Sequence, residues 1–434
     1  HEAVKRLINA ITFRLGAISL VLSALGVFGS SIWMMVFAPG FIDDPEKFNL
    51  AADMLAITFP YLMLISLVAL SSAIMNTYNQ FAVPAFTPVF LNLVLISFAI
   101  WVSPMMDIPI MALAWGVLVA GVVQLLFHLP FLYKLDLLPN PSRQSDPGVG
   151  EVKRLIIPAL FGVSVAQINL LVDTILASFL VTGSVSWLYY SDRLMEFPLG
   201  VFGVALATVV LPGLSKKAAN ENWQGFQQDI DSALRLVFII GLPATLGLLI
   251  LAEPLIISLF YYGAFTELDV TMAGMSLMAY SFGLLGFILV KILAPAFYAR
   301  KNMKTPVKVA IIALVANILL NLILIGPFAH VGLAAATTLS AFINAGLLYW
   351  YITQQGVFKP LLGWGKLAMQ IVFANGVLVG FILGVSPEVS SWLAFDAWQR
   401  ISWLMGLVLG AIFIYAVSLM LVGLNPKRLL NASG

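Results

Sequence analysis

The chain has 434 residues, 61% of them hydrophobic and 10% charged, whereas a soluble globular domain averages about 45–50% apolar and about 25% charged residues. With a mean hydropathy of +1.01, this composition excludes a water-soluble enzyme and a disordered chain and points to a polytopic membrane protein. The net charge of +2 leaves no basic excess for nucleic acid, and the lack of cysteine excludes disulfides and thiolate chemistry.

Twelve apolar segments are long enough to cross a bilayer, which takes about 20 helical residues. They cover 12–36, 50–75, 84–103, 108–133, 154–181, 185–211, 230–252, 268–297, 306–325, 330–352, 366–385 and 397–423. Helices are the only reading, since a barrel needs short alternating strands. The predicted fold class is therefore an all-α polytopic membrane protein. The longest connections, near 134–153 and 212–229, are polar and too short for a soluble catalytic domain. His1, His128 and His330 are too scattered to form a histidine metal cluster.

Lysine and arginine set the orientation. With the N-terminus inside, one side of the membrane carries 18 of the 22 basic residues, from Lys5 and Arg6 through Lys216, Lys217, Arg300, Lys301 and Lys304 to Lys427 and Arg428. The other side holds only Lys47 and Arg400, together with acids such as Asp43, Asp44, Glu267 and Asp269. That bias predicts both termini in the cytoplasm.

The chain also matches itself at an offset of about 220 residues. Arg14 pairs with Arg235, Gly26 with Gly247, Tyr78 with Tyr298, Thr87-Pro88-Val89 with Thr305-Pro306-Val307, and Gln124 with Asn344. Spans 1–4 thus repeat spans 7–10 in the same orientation, which is transporter architecture. The expected organisation is an incomplete four-helix lobe over 1–133 and an inter-lobe linker over 134–153. A six-helix lobe over 154–352 and two further helices over 353–434 complete it. The repeat predicts two more helices, roughly 70–80 residues, ahead of His1.

An ionisable group at mid-membrane costs at least about 2.5–3.5 kcal/mol and is a functional candidate by default. The sixth span carries Asp192 roughly 10 Å and Glu196 roughly 16 Å from its outer end. Tyr189, Arg193, Glu196, Gly200 and Gly203 share one stripe, and Pro198 should permit a bend there. A neutralising Arg193–Glu196 pair could merely hold helices together. The functional reading is an anionic head-group site facing a cavity, because arginine offers a permanent cation with a planar donor fork suited to phosphate.

In the fifth span Asp173 follows Gln167 and Asn169. Asn317 and Asn321 lie four apart in the ninth span, and Thr337 and Thr338 are in the tenth. Converging, such oxygens suit a hard cation such as sodium; the competing reading is ordinary interhelical hydrogen bonding. Lys291 reads as an interfacial anchor within snorkelling reach of the inner surface. His128 reads as a packed residue, and the Gly200–Gly203 stretch as close helix packing.

The segments Gln167-Ile-Asn-Leu-Leu-Val-Asp173, Trp187-Leu-Tyr-Tyr-Ser-Asp192-Arg193-Leu-Met-Glu196-Phe-Pro198-Leu-Gly200-Val-Phe-Gly203 and Ala296-Phe-Tyr-Ala-Arg300 resemble the MurJ (MviN) family of lipid II flippases. That family lies in the multidrug/oligosaccharidyl-lipid/polysaccharide exporter superfamily. The resemblance implies fourteen helices, of which twelve are in this chain. It also implies a monomer in the bacterial inner membrane that passes lipid II to the outer leaflet by alternating access, without covalent chemistry. Its implied substrate-binding residues are Arg193, Asp192, Glu196 and Ser186. Its implied sodium ligands are Asp173, Asn317, Asn321 and Thr337; sodium-binding members carry an aspartate where Asn321 stands. The last two helices would form an apolar groove for the polyprenyl tail among the membrane lipids. Further cavity arginines belong to the family's first two helices, so this stretch alone is not expected to transport.

Alternatives are a cation-coupled drug exporter, which would favour an acidic cavity and is opposed by Arg193, and a flippase for another polyprenyl-linked glycan. A membrane-embedded enzyme acting on lipid-linked sugar would need clustered acid/base residues at one membrane face, and the short loops offer little room for them.

Overall fold

The computed structural model describes residues 2–143 and 146–424, without the side chains of residues 153, 155, 157–163, 165, 166 and 204–209. Lys427, Arg428 and the side chain of Lys153, counted above for orientation, lie outside the described residues. The chain divides into two compact units, His1–Ser164 and Val165–Gly434. Among the described residues there is helix and no strand, as a chain must be when its backbone groups are satisfied within each segment in hydrocarbon.

The first unit contains α1 (Glu2–Phe28), α2 (Ser30–Phe37), α3 (Pro45–Thr58), α4 (Tyr61–Thr77), α5 (Ala82–Ser97) and α6 (Met111–Lys134). It also takes the first part of α7 (Gly148–Ser178). Asp44 starts α3 by accepting the Lys47 amide, with Pro45 in the first turn. α4 packs on α1 and α6, and α5 on α6. The polar 135–143 segment lies along α1, where Lys5 meets Asp136 at 2.5 Å and the Asn9 side chain accepts the Asn140 amide at 2.7 Å.

His128 is fully buried, with its Nε2 2.6 Å from the Thr87 hydroxyl. Gln124 donates to the Thr87 carbonyl and accepts from Tyr61. This neutral network makes His128 a packed, hydrogen-bonded residue.

The second unit continues α7 and adds α8 (Ser184–Pro198), α9 (Ala205–Ala219), α10 (Trp223–Ile250), α11 (Ala252–Phe260) and α12 (Glu267–Tyr298). It ends with α13 (Lys304–Gln354), α14 (Trp364–Val385), α15 (Val389–Ala394) and α16 (Ala397–Leu421). The expected polar connection at 212–229 is mostly helix: α9 runs on to Ala219, and Asn222 caps α10 through the Gly225 amide. α12 is the central post, packed by α8, α9, α10, α11 and α13. Thr266 and Asp269 close a capping box at its start.

α13 is two helices folded back on each other at Ala329, whose φ of 49° is strained for a residue with a Cβ. The arms meet where Ser340 bonds the Ala313 carbonyl and Asn317 bonds Thr337. Gly332 packs so closely that any Cβ there would collide with the Leu324 carbonyl.

Every apolar segment read from the sequence falls on helix. Nine helical stretches among the described residues are long and apolar enough to cross a membrane, one of them the doubled α13.

α14 and α16 pack on each other, and α10 and α11 connect them to the rest of the unit. The turn before α14 is knotted onto α10 by Asp231, only 2% exposed. Asp231 accepts from the Leu361 amide (3.0 Å), the Trp364 indole (2.8 Å) and Arg235 Nε (2.5 Å). Arg235 in turn donates to the Leu362 carbonyl and lies over the Trp364 ring.

Candidate functional site

α8 has two unlike faces. Ser184, Trp187, Leu188, Ser191 and Met195 are buried, and the Ser191 hydroxyl bonds the Ala273 carbonyl of α12 at 2.7 Å. The opposite face exposes Ser186, Tyr189, Arg193, Glu196 and Gly200, at alternating spacings of three and four that keep a helical stripe in line. Arg193 donates to Glu196 at 2.6 Å and lies 5.0 Å over the Tyr189 ring. The two charged side chains remain 52% and 48% exposed. Asp192, one step round the helix, is half-buried.

Arg193 stands about 14 Å from the first residue of α8 at 1.5 Å per residue. At that depth a half-exposed ion pair needs water or a polar ligand rather than lipid, because unscreened charge in hydrocarbon costs several kcal/mol, on the order of the insertion penalty. After Pro198 the helix widens into a π-helical turn, Leu199–Val204, which is where the missing proline N–H was expected to disturb it. Gly200 has open space around it rather than a packed neighbour. The close-packing expectation therefore holds only for Gly203, whose Cβ position lies near Leu199, Ile288 and Lys291.

The four expected sodium ligands come together. Asn321 Nδ2 donates to Asp173 Oδ1 (2.6 Å) and to Asn317 Oδ1 (2.8 Å). Asn317 Nδ2 donates to Thr337 (3.2 Å), which donates to Asp173 Oδ2 (3.3 Å). Asn317 and Asn321 are fully buried, and Asn321 Oδ1 has no hydrogen-bond partner. That orphaned oxygen is where the residues fit a cation: turning the amides presents oxygens beside one carboxylate, a set whose single negative charge suits a monovalent hard ion.

Thr338 faces away and bonds the Ala279 carbonyl, Gln167 is exposed, and Asn169 Oδ1 is unpartnered. Among the described residues no group of three or more His, Asp or Glu is placed to hold a metal.

Two features were not anticipated. Trp187 donates to Asp269 at 2.7 Å and packs 4.9 Å from the ring of His330, joining the starts of α8 and α12 to the α13 turn. The pairing of Asp231 with Arg235 could have been found from their spacing of four. A cleft of about 400 Å³ lies between α14 and α16, lined by Val385, Ser402, Trp403, Gly406 and Leu407.

A helical chain with long apolar spans and an exposed charged stripe on α8 defines a multi-pass membrane protein of transporter type. The profile of the lipid II flippase MurJ family matches residues 1–402. The chain is 46% identical to the probable lipid II flippase MurJ of Vibrio cholerae, over 96% of this chain and 81% of that protein. It is 41% identical to the probable lipid II flippase MurJ of Haemophilus influenzae, over 98% and 86%. The chain belongs to the lipid II flippase MurJ family.

A solved lipid II flippase MurJ in an inward closed conformation superposes with a TM-score of 0.81 at 25% identity, covering 96% of this chain and 84% of that one. An inward-facing multidrug resistance MATE family transporter shares the fold, with a TM-score of 0.65 at 15% identity over 80% and 81% of the two chains.

Proposed function

We propose that this chain moves lipid II, the polyprenyl-diphosphate-linked peptidoglycan precursor, from the inner to the outer leaflet of the bacterial cytoplasmic membrane. Family membership supports the substrate. The observation that carries the chemistry is the half-exposed Arg193–Glu196 pair, about 14 Å along α8 from its first residue. Arg193 presents its donor fork to the diphosphate, Glu196 and Ser186 line the same face, and Asp192 borders it one step round the helix. Diphosphate binding exchanges Glu196 for a stronger anionic partner, so the stripe alternates between a self-neutralised and a loaded state.

The two lobes work by alternating access, both termini stay in the cytoplasm, and the protein acts as a monomer. The α14–α16 cleft takes the polyprenyl tail, which never leaves the bilayer. No bond is made or broken in this reading.

Asp173, Asn317, Asn321 and Thr337 would hold sodium, which would supply the positive charge facing Asp173 where the neutral Asn321 amide now only donates a hydrogen bond. The chain's own residues there hold α7 against both arms of α13.

The test is leaflet accessibility of lipid II in cells rapidly depleted of the protein, with the full-length protein resupplied. Outward exposure should fall on depletion and return on resupply; exposure that persists during depletion overturns the assignment.

A further inference from the structure

The connection from α13 to α14 turns apolar side chains outward while its peptide groups are bonded inward. Phe358 is fully buried and seats the loop, whereas Leu361 is exposed and Leu362 is 99% exposed. Helix α10 supplies most of the bonds. Gln227 Nε2 donates to the Lys359 carbonyl at 2.6 Å, and Asp231 accepts the Leu361 amide at 3.0 Å. Arg235 donates to the Leu361 and Leu362 carbonyls at 3.5 and 2.9 Å. Pro360 has no N–H to satisfy, and the Gly363 carbonyl accepts the Leu367 amide of α14. Gly363 makes the turn into that helix at a φ of 101°, in the left-handed region that favours glycine.

A loop can dip towards hydrocarbon only to the extent that its peptide groups are satisfied. A loop bathed in water needs no such arrangement, because water serves those groups. The charge around this tip is of one sign. Lys359 and Lys366 are exposed on either side of the leucines and form no ion pair among the described residues. The sequence has no acid at all between Asp269 and Glu388. Bare leucines flanked by unpaired lysines fit a surface that is apolar inside and anionic outside, which is a phospholipid leaflet.

We propose that the 359–366 segment is an interfacial wedge: Leu361 and Leu362 insert among the acyl chains of the inner leaflet, and Lys359 and Lys366 bind the phosphates of anionic lipids. The lysine stems are long enough to lie along the apolar boundary while their ammonium groups reach the head groups. The wedge rests on the cytoplasmic placement of this loop and not on what the protein carries, so its failure leaves the flippase reading standing.

The 434 residues contain no cysteine, so a nitroxide on Leu362→Cys reports on one place in this stretch. The full-length protein is labelled and placed in vesicles of phosphatidylethanolamine and phosphatidylglycerol. Access of a water-soluble nickel chelate should be about tenfold lower there than at Asn220→Cys, in the polar turn before α10, because a charged solute is excluded from hydrocarbon. Exchanging phosphatidylglycerol for phosphatidylcholine should raise chelate access at Leu362, and joint Lys359→Gln and Lys366→Gln substitution should abolish that dependence. Chelate access equal to that at Asn220 overturns the proposal and leaves the tip to a partner protein. Shielding that ignores both lipid charge and the lysines overturns it too, reducing the loop to an uncharged anchor. Leu361→Cys carries the label if the first variant does not fold.

Discussion

Two polar groupings lie within Val165–Gly434, and they answer the problem of polarity in a membrane in opposite ways. On α8, Arg193 and Glu196 carry full charges and stay half-exposed. Between α7 and the arms of α13, Asp173, Asn317, Asn321 and Thr337 close a ring that leaves Asn321 Oδ1 as its spare acceptor. The first spends its hydrogen-bonding capacity outward, the second inward. Exposure therefore separates a charged stripe open to a ligand from a joint between helices, although both began in the sequence as polar residues within apolar spans.

That contrast can be broken most severely at Arg193. Arg193→Ala should lower affinity for undecaprenyl diphosphate by at least about a hundredfold and abolish support of cell-wall synthesis, with normal membrane insertion; growth on that allele would erase the distinction. Asp173→Ala acts on the other side of the comparison. It strands the Asn321 amide and the Thr337 hydroxyl, and should destabilise the protein by about 1–3 kcal/mol in thermal unfolding. Any sodium-dependent rise in melting temperature should vanish with it, while diphosphate affinity stays within a few-fold, about the noise of such contacts. A drop in affinity as large as that of Arg193→Ala would mean the two groupings are one site. Ser186→Ala is the mildest test: stability should move by less than about 0.5 kcal/mol and affinity by a few-fold at most, read in the same binding assay.

Much of this was legible beforehand because membrane constraints write themselves in long runs. Every apolar segment became helix, and the alternate three-and-four spacing on α8 placed Arg193 and Glu196 on one face before any coordinates. Asn317 and Asn321 were paired by the same rule.

Helical spacing alone did not tell Thr337 from Thr338; only the family resemblance singled out Thr337. One residue turns a helix by about 100°, and which threonine meets Asp173 depends on how the arms of α13 close around Gly332. Gly200 lies open because the π-helical turn changes the phase of the stripe just beyond it, a shift no periodicity counted in α-helical steps anticipates.

Asp231 carries a final consequence. One carboxylate grips the α10 arginine, a backbone amide and the indole that begins α14, so the α14–α16 pair is moored rather than hung on a loose tether. A tilt of α10 would be passed to the α14–α16 pair through that mooring, so the cleft between them would move as part of the frame and not independently of it.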